Sequence, residues 1–277
     1  MITATVLLDS VCEANGVRLT TLSLRYHRFI HSEFMTHRVF SRNAASSRAI
    51  PIQKMIDQVR NDPMIPLKWG RNQPGMQAET EVEPEVQEMA LNEWIRGSRS
   101  AIETATQLAY LGVHKQIVNR VLEPWLPITT IVTSTDWRNF FNLRLHSKAQ
   151  PEMQALASAM HHCINESKPR VLKPGEWHIP LTNANEGNDD ERLKLSVARC
   201  ARVSYLHHDD SKVDPARDLK IYDTLLSNQH MSPFEHQARA SVSLARCRNF
   251  RSWQQYRSII ELTQVDNEEA NYDRSIQ

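Results

Sequence analysis

The stretch from Glu85 to Leu111 constrains the fold most, because it predicts one long helix with a single apolar side. Apolar residues recur in it at helical spacing, and Gly112 follows as a stop signal. The residues expected on the buried side are Trp94, Ile95, Ile102, Ala105 and Leu108. An apolar stripe of this kind has to pack against other elements. The 277 residues of the chain are enough for one large domain or two small ones with a sizeable core.

Segments with strand patterning lie on both sides of this helix. "ATVLLDSV", "VRLTTLSLRY" and the β-branched "ITTIVTST" predict strands. "RFIHSEFMTHRVF" and "AQPEMQALASAMHHCI" predict helices, and "DWRNFFNLRL" predicts a helix that Asp136 caps. "PMIPLKWGRNQPGMQAETEVEPE" and "KPRVLKPGEWHIPLTNANEGNDDER" predict long surface loops, the second suited to connecting two lobes. The chain therefore mixes helices and strands.

The overall charge and the cysteines exclude several classes of protein. A formal net charge of +1 argues against a protein that coats nucleic acid. Four separated cysteines without a C-x-x-C pair argue against a zinc ribbon or a dithiol redox site, so reduced thiols are expected. The start lacks a basic leader, and no apolar run is long enough to span a membrane. We therefore expect a cytoplasmic protein.

Positive charge and hydroxyl groups concentrate in "THRVFSRNAASSR", which runs from Thr36 to Arg48. Five arginines and three histidines lie between Arg25 and Arg48, opposed only by Glu33. Guanidinium and hydroxyl groups together are typical of sites for phosphate oxygens. The alternatives are a solvated basic surface and, for Glu33 and His37, a simple ion pair on a helix surface. The residues alone leave these open.

A second candidate segment, "TDWRNFFNLRLH", places Trp137, Phe140, Phe141 and Arg144 on one helical stripe. A guanidinium on such an aromatic side needs a carboxylate, a phosphate or a polarised carbonyl as its partner. Either a structural ion pair or a ligand satisfies this need. A third segment, "NQHMSPFEHQA", gathers histidine, serine and glutamate around a proline turn, which is also compatible with an ordinary capped helix end. No metal site is expected, because His27 and His31 lack a third ligand.

Four segments together resemble motifs of the flavin-dependent thymidylate synthases. "THRVFSRNAASSR" is similar to their R-H-R-x7-S signature, and "NFFNLRLHSKAQPE" to N-F-x-N-L-R followed by A-Q-x-E. "ARCARVSY" and "HMSPFEH" resemble A-A-R-x-S and H-x-[ST]-P-F-E-H. The resemblance implies an α+β fold, with an antiparallel β-sheet flanked by helices and long surface loops, in a single domain over residues 1–277.

The same resemblance implies an activity and a set of site residues. Its enzymes bind FAD and convert dUMP to dTMP, with methylenetetrahydrofolate as carbon donor and NADPH as reductant, in homotetramers whose sites form between subunits. The residues carried over to the flavin are His37, Arg38, Asn43, Asn139, Ser204, His230 and Ser232. Those carried over to the nucleotide are Glu33, Ser46, Arg48, Arg120 and Arg144. Among them, Arg144 and His230 are expected to be catalytic.

The order of the motifs is unusual. "HMSPFEH" follows the signature instead of preceding it, and "LTTLSLRYHRFIHSEFMTHR" resembles "ARASVSLARCRNFRSWQQYR" near the end. Together these observations predict a permuted or partly duplicated chain with a pseudo-repeat. Its two lobes would cover residues 1–165 and 190–277.

Three positions depart from the family pattern. Thr36 stands where an arginine is usual, Ala44 where a nucleotide-contacting glutamate is usual, and Glu33 where a glutamine is usual. A carboxylate at position 33 can accept a hydrogen bond from the exocyclic amine of cytosine, so dCMP is the first rival substrate and a hydroxymethylated base a rival product. A homologue that binds nucleotide or flavin without turnover is the remaining alternative. No cysteine has the P-C-H context of cysteine-dependent thymidylate synthases, which favours the flavin route.

Overall fold

A five-stranded sheet lies at the centre of the computed structural model, which describes residues 1–204 and 214–263. Its strand order is β3-β4-β2-β1-β5. The strands are β1 (Thr3–Cys12), β2 (Arg18–His27), β3 (Ser41–Ala44), β4 (Pro127–Ser134) and β5 (Arg170–Leu172). All neighbours pair antiparallel except β1 and β5, which are parallel. This is the antiparallel α+β architecture that the sequence predicted.

Helices cover one face of this sheet, on which the central strand β2 places a row of large apolar side chains. Leu22, Leu24 and Tyr26 of β2 are fully buried against α5 (Arg138–Arg144) and α6 (Pro151–Glu166). Phe140 of α5 joins the same core. Phe140 is therefore buried as expected, whereas Trp137 and Phe141 are partly buried against the same core. The helix brings Arg144 to the edge of this core.

The long helix forms as predicted, as α3 (Pro84–Tyr110), and packs in a second core. Its partners are α2 (Ile52–Asn61), α4 (Lys115–Val118) and the 3-10 segment Asn119–Trp125. Gly112 has a φ of 78°, a left-handed conformation that suits glycine just beyond a helix end. Within the described ranges, no helix, α3 included, is both long and apolar enough to cross a bilayer.

The C-terminal part packs against the other face of the large sheet, where it helps to bury Leu19 of β2 and Ile131 of β4. It contains α7 (Asp189–Ala201), α8 (Pro215–Ser227) and a small antiparallel sheet in the order β10-β7-β6. These short strands are β6 (Trp177–His178), β7 (Ala238–Ala240) and β10 (Trp253–Gln255), and a separate hairpin joins β8 (Arg246–Cys247) to β9 (Phe250–Arg251). Residues 256–263 are helical.

Two predictions about helices were wrong. The helix expected from "RFIHSEFMTHRVF" is only a 3-10 segment, Arg28–Ile30, followed by the short α1 (His31–Phe34). Residues 35–40 form turns, and Ser41 already pairs with Thr133 in the sheet. Asp136 does not cap α5, because its carboxylate pairs with Arg246 instead.

The two segments that echo each other in the sequence differ in backbone structure. The first contains the ten-residue strand β2 and then α1. The second is divided among the short strands β7, β8, β9 and β10 before the helix at 256–263. The resemblance between them therefore does not extend to their conformation, and the division of the chain into two lobes stays a prediction.

Candidate active site

Three residues predicted for the site meet where α1 and α5 come together, and we call them the Arg144 cluster: Glu33, His37 and Arg144. The Nε of Arg144 donates a hydrogen bond to Nε2 of His37 at 3.1 Å. Nη1 of Arg144 lies 3.7 Å from the carboxylate of Glu33. The arginine side chain is 22% exposed, so it faces solvent as well as the aromatic core. Its partners are thus an imidazole and a carboxylate, both from outside α5.

His37 is an uncharged acceptor in this cluster. Its ring is buried beside Phe40 and lies 4.8 Å from the ring of Phe140, centroid to centroid. Burial, and then the charges of Arg144 and Arg42, lower the pKa of His37 to about 4. Because Arg144 can only donate, Nε2 of His37 is unprotonated and Nδ1 carries the proton.

Arg42 fixes the turn that carries His37, a role that sequence reasoning missed. From β3, its Nη1 donates to the main-chain carbonyls of Phe34, Met35 and His37 at 3.3, 2.8 and 3.2 Å. These carbonyls belong to the last residue of α1 and to the turn that follows it. One guanidinium therefore closes the turn between α1 and β3.

A second group of residues, the Glu123 cluster, consists of Glu123, Ser47, Arg28 and Arg120. Oε1 of Glu123 accepts hydrogen bonds from Ser47 Oγ at 2.7 Å and from Arg120 Nη1 at 2.9 Å. Nε of Arg28 lies 3.1 Å from the same oxygen. This cluster brings the predicted Arg120 to the segment that carries Ser46 and the exposed Arg48. Sequence reasoning did not assign Arg28 or Glu123 to the site.

Tyr26 and His31 lie between the two clusters. The hydroxyl of Tyr26 is 2.8 Å from Nδ1 of His31 and 3.0 Å from Oγ1 of Thr130. Burial, and then the charges of Arg28 and Arg42, lower the pKa of His31 to about 4. Burial raises the pKa of Tyr26. Both groups are therefore uncharged near neutral pH. Sequence reasoning did not assign them to the site, and their position in the arginine-rich segment was the only sequence feature that could have indicated it.

Asn43 leads to a third group of predicted residues. Its Nδ2 donates to the carbonyl of Cys200 at 3.4 Å, whereas its buried Oδ1 has no partner within residues 1–204 and 214–263. Strand β3 contacts the 3-10 segments Arg202–Ser204 and Ser232–Glu235. Asn43, Ser204 and Ser232 therefore lie on neighbouring segments, although the side chain of Ser204 is outside the described part.

The other predicted flavin residues are exposed, and their side chains form no hydrogen bond with the clusters above. Arg38, Asn139, His230 and Ser232 are all exposed. Their side chains form no hydrogen bond with the part of the chain that the structure describes, which leaves them available to a ligand. Guanidinium, amide, imidazole and hydroxyl donors, with the unpartnered oxygen of Asn43, suit the pyrophosphate and polar ring edge of a flavin dinucleotide. The residues present fit that group.

A chain of four hydrogen bonds, the polar chain, links "HMSPFEH" to the first strand. His236 Nδ1 bonds Thr133 Oγ1, Thr133 bonds Thr21, and Thr21 bonds His178 Nε2, each at 2.8 Å. Nδ1 of His178 then bonds Ser10 Oγ, also at 2.8 Å. Burial lowers the pKa of both histidines to about 3, so both are neutral. Nε2 of His236 is buried and without a partner among the described residues.

Comparison with known proteins adds a family match. A family model described as "Thymidylate synthase complementing protein" matches residues 17–170, which contain the Arg144 and Glu123 clusters. No curated protein sequence matches the chain.

Two solved structures of the UMP/dUMP methylase PolB from Streptomyces cacaoi are similar to this chain. The structure with 5-Br dUMP has a TM-score of 0.50 and 16% identity, covering 60% of this chain and 90% of PolB. The structure with 5-Br UMP has a TM-score of 0.47 and 16% identity, covering 60% and 89%. The likeness to the first of these shows a shared fold.

Proposed function

Because the chain belongs to the thymidylate synthase complementing protein family, we propose that it methylates C5 of the uracil of dUMP to give dTMP. Family membership makes it an enzyme, a methyltransferase of the flavin-dependent thymidylate synthase type. The observation that carries the proposal is Arg144, which is held by a neutral imidazole and a carboxylate at a partly open edge of the core. PolB, which shares the fold, is described as a UMP/dUMP methylase.

Arg144 is the residue we assign to the base. Nη2 of Arg144 has no partner in the described part of the chain, so a fixed N–H donor remains for a pyrimidine carbonyl. Negative charge develops on that carbonyl as C5 attacks the transferred carbon. A donor already held in place stabilises such charge without reorganising. Arg144 is therefore the proposed electrostatic catalyst.

The nucleotide phosphate is assigned to Ser46, Arg48 and Arg120. Arg48 is exposed, and the side chain of Arg120 is 53% exposed although one nitrogen binds Glu123. Forked guanidinium groups bind phosphate oxygens in pairs. Glu33 completes the proposed nucleotide site through its position beside Arg144.

The proposed cofactor is FAD, with NADPH and methylenetetrahydrofolate as co-substrates. When bound, the reduced flavin supplies the hydride that completes the methyl group. The residues that would hold it are His37, Arg38, Asn43, Asn139, Ser204, His230 and Ser232. His230 is the proposed catalytic group on the flavin side, since its exposed imidazole is unengaged in the described part. The proposal includes a cytoplasmic homotetramer with sites shared between subunits.

Glu33 supports a second candidate function, which is methylation or hydroxymethylation of dCMP. Its carboxylate lies 3.7 Å from Nη1 of Arg144 and has no closer partner in the described residues. An acceptor beside the proposed base site can receive the exocyclic amine of cytosine. Replacing Glu33→Gln should then shift the preference toward dUMP. An unchanged ratio of dUMP to dCMP turnover in this variant would remove the second candidate.

Product mass tests the two candidates directly. The full chain loaded with FAD would receive NADPH, methylenetetrahydrofolate and equal amounts of dUMP and dCMP. We expect methylated dUMP. A methylated dCMP, or a hydroxymethylated product of either base, would favour the second candidate. Absence of any product, with nucleotide binding intact, would contradict both.

A further inference from the structure

Glu123 holds two arginines with one carboxylate oxygen. Oε1 receives Ser47 Oγ at 2.7 Å, Arg120 Nη1 at 2.9 Å and Arg28 Nε at 3.1 Å. The glutamate side chain is 24% exposed and that of Arg28 only 13%, so solvent screens this group incompletely. Oε2 has no partner in the described part of the chain.

The carboxylate of Glu123 offsets the electrostatic repulsion between the guanidinium groups of Arg28 and Arg120. Burial lowers the pKa of the Arg28 guanidinium, the charge of Glu123 raises it, and the charge of Arg120 lowers it again. Without a carboxylate between them, two arginines this close would separate. Glu123 therefore keeps two positive charges together beside the segment that carries Ser46 and Arg48.

Both arginines retain donors for a ligand. Arg28 uses Nε for Glu123 and Nη1 for the carbonyl of Ala45 at 3.3 Å. Arg120 uses only Nη1. Nη2 of each side chain is without a partner in the described ranges and is not a buried atom. Two guanidinium groups with fixed orientation thus offer unused N–H donors, which can bind the oxygens of a dianionic phosphate.

We propose that Arg28 is a phosphate-binding residue of the nucleotide site and that Glu123 is the positioning residue that fixes Arg28 and Arg120 for this task. The inference rests on the proposed function, because it takes the nucleotide phosphate to lie beside Ser46, Arg48 and Arg120. Glu123 contributes through the two arginines and makes no bond with the phosphate. Its loss acts on phosphate recognition and leaves recognition of the base unchanged.

Calorimetric titration of the FAD-loaded full chain with dUMP and with deoxyuridine tests this. The two ligands differ only in the phosphate. In Glu123→Gln and Arg28→Gln we expect dUMP to bind about tenfold more weakly or worse, while the Kd of deoxyuridine stays within about twofold of the parent value. Glu83→Gln, which breaks the exposed pair with Arg71, is the matched control and should change neither.

Several outcomes would overturn the inference. Equal weakening of dUMP binding and of deoxyuridine binding would show that the cluster only supports the fold. Tighter dUMP binding in Glu123→Gln would show that the carboxylate repels the phosphate. A parent protein without preference for dUMP over deoxyuridine would contradict the proposed function itself, which separates the two failures. If Glu123→Gln does not fold, Ser47→Ala removes one donor of the cluster and should weaken dUMP alone by a smaller factor. An unchanged Kd in Ser47→Ala would then overturn the inference.

Discussion

The guanidinium of Arg144 is held by its own chain on two sides before any ligand arrives. His37 receives its Nε, and Glu33 lies near its Nη1. A donor oriented in this way depends on the planar fork of arginine, since lysine offers a single flexible point charge. The geometry therefore demands arginine, and not merely positive charge, at position 144.

Replacing Arg144 by Lys or Ala should reduce kcat for dUMP methylation by about 10²–10³, with a smaller effect on KM, because the lost bond strengthens in the transition state. Lysine should rescue little of the loss. Steady-state kinetics with dUMP as the varied substrate measures both constants.

Arg138 provides the control for this prediction. It lies on the same helix, is exposed, and its side chain forms no hydrogen bond or ion pair in the described part of the chain. Arg138→Ala should keep kcat within about twofold of the parent value. Retention of more than a tenth of the activity in Arg144→Ala would contradict the role assigned to Arg144.

At the scale of elements, the polar chain joins strands of both sheets. Thr21 of β2 and Thr133 of β4 are direct partners in the register, and His178 belongs to β6 of the small sheet. These side chains are fully buried. Buried polar groups are costly when a partner is lost, so the polar chain ties the two sheets together.

Thr133→Val should lower the free energy of unfolding by about 1–3 kcal/mol, because Thr21 and His236 both lose a buried partner while the shape of the side chain is kept. Thr129→Val in the same strand is the control, since its hydroxyl forms no hydrogen bond in the described part. Urea unfolding followed by circular dichroism gives both values. Equal stability of the two variants would show that the polar chain is unimportant for stability.

The elements that the sequence predicted well are those set by local patterns. Helix α3 and strands β1, β2 and β4 follow from apolar spacing along continuous segments. The stretch from Arg28 to Phe40 was predicted as one helix from its helical spacing, but its helical part ends at Phe34 and residues 35–40 form turns that lead into β3, which pairs with β4. Local propensity yields to tertiary pairing in such short segments.

In the candidate site, too, the sequence predicted the residues that belong to a local motif and missed those that come together through long-range contacts. Motif spacing selected Glu33, His37 and Arg144, which the structure brings into contact. It did not select Arg28 or Glu123, which are far apart in the chain and acquire their relation only when β4 and its preceding turn fold against β2. Partners that depend on contacts of this range have no signature in a local pattern.

At the scale of the whole molecule, histidines with a lowered pKa should make stability depend on pH. The pKa is lowered to about 4 for His31 and His37 and to about 3 for His178 and His236, mainly by burial. In the unfolded chain these groups titrate near about 6.5. Between these values the unfolded state binds more protons, so the free energy of unfolding falls as the pH falls.

Stability is full above about pH 6.5, and below that pH the expected loss is up to about 1.4 kcal/mol per pH unit for each fully buried histidine. The loss is smaller for His31, which is partly exposed. Urea unfolding at about pH 7.5, 6 and 5 measures the slope. His162→Gln, at an exposed position, should leave the slope unchanged. A flat profile between about pH 6.5 and 5 would contradict the burial of these rings.

The polar chain has one more consequence, which follows from counting protons. Three bonds connect the two imidazole rings through Thr133 and Thr21, yet the two hydroxyls supply only two hydrogens. At least one ring must provide the third, and if both rings donated, one buried threonine hydrogen would be left without a bond in this chain. The pair therefore favours the two joint tautomers in which one ring donates and the other accepts. The tautomer of His236, which determines whether its Nε2 carries a proton or a lone pair, is therefore coupled to the tautomer of His178. The tautomer of His178 in turn determines whether its Nδ1 donates to Ser10 or accepts from it.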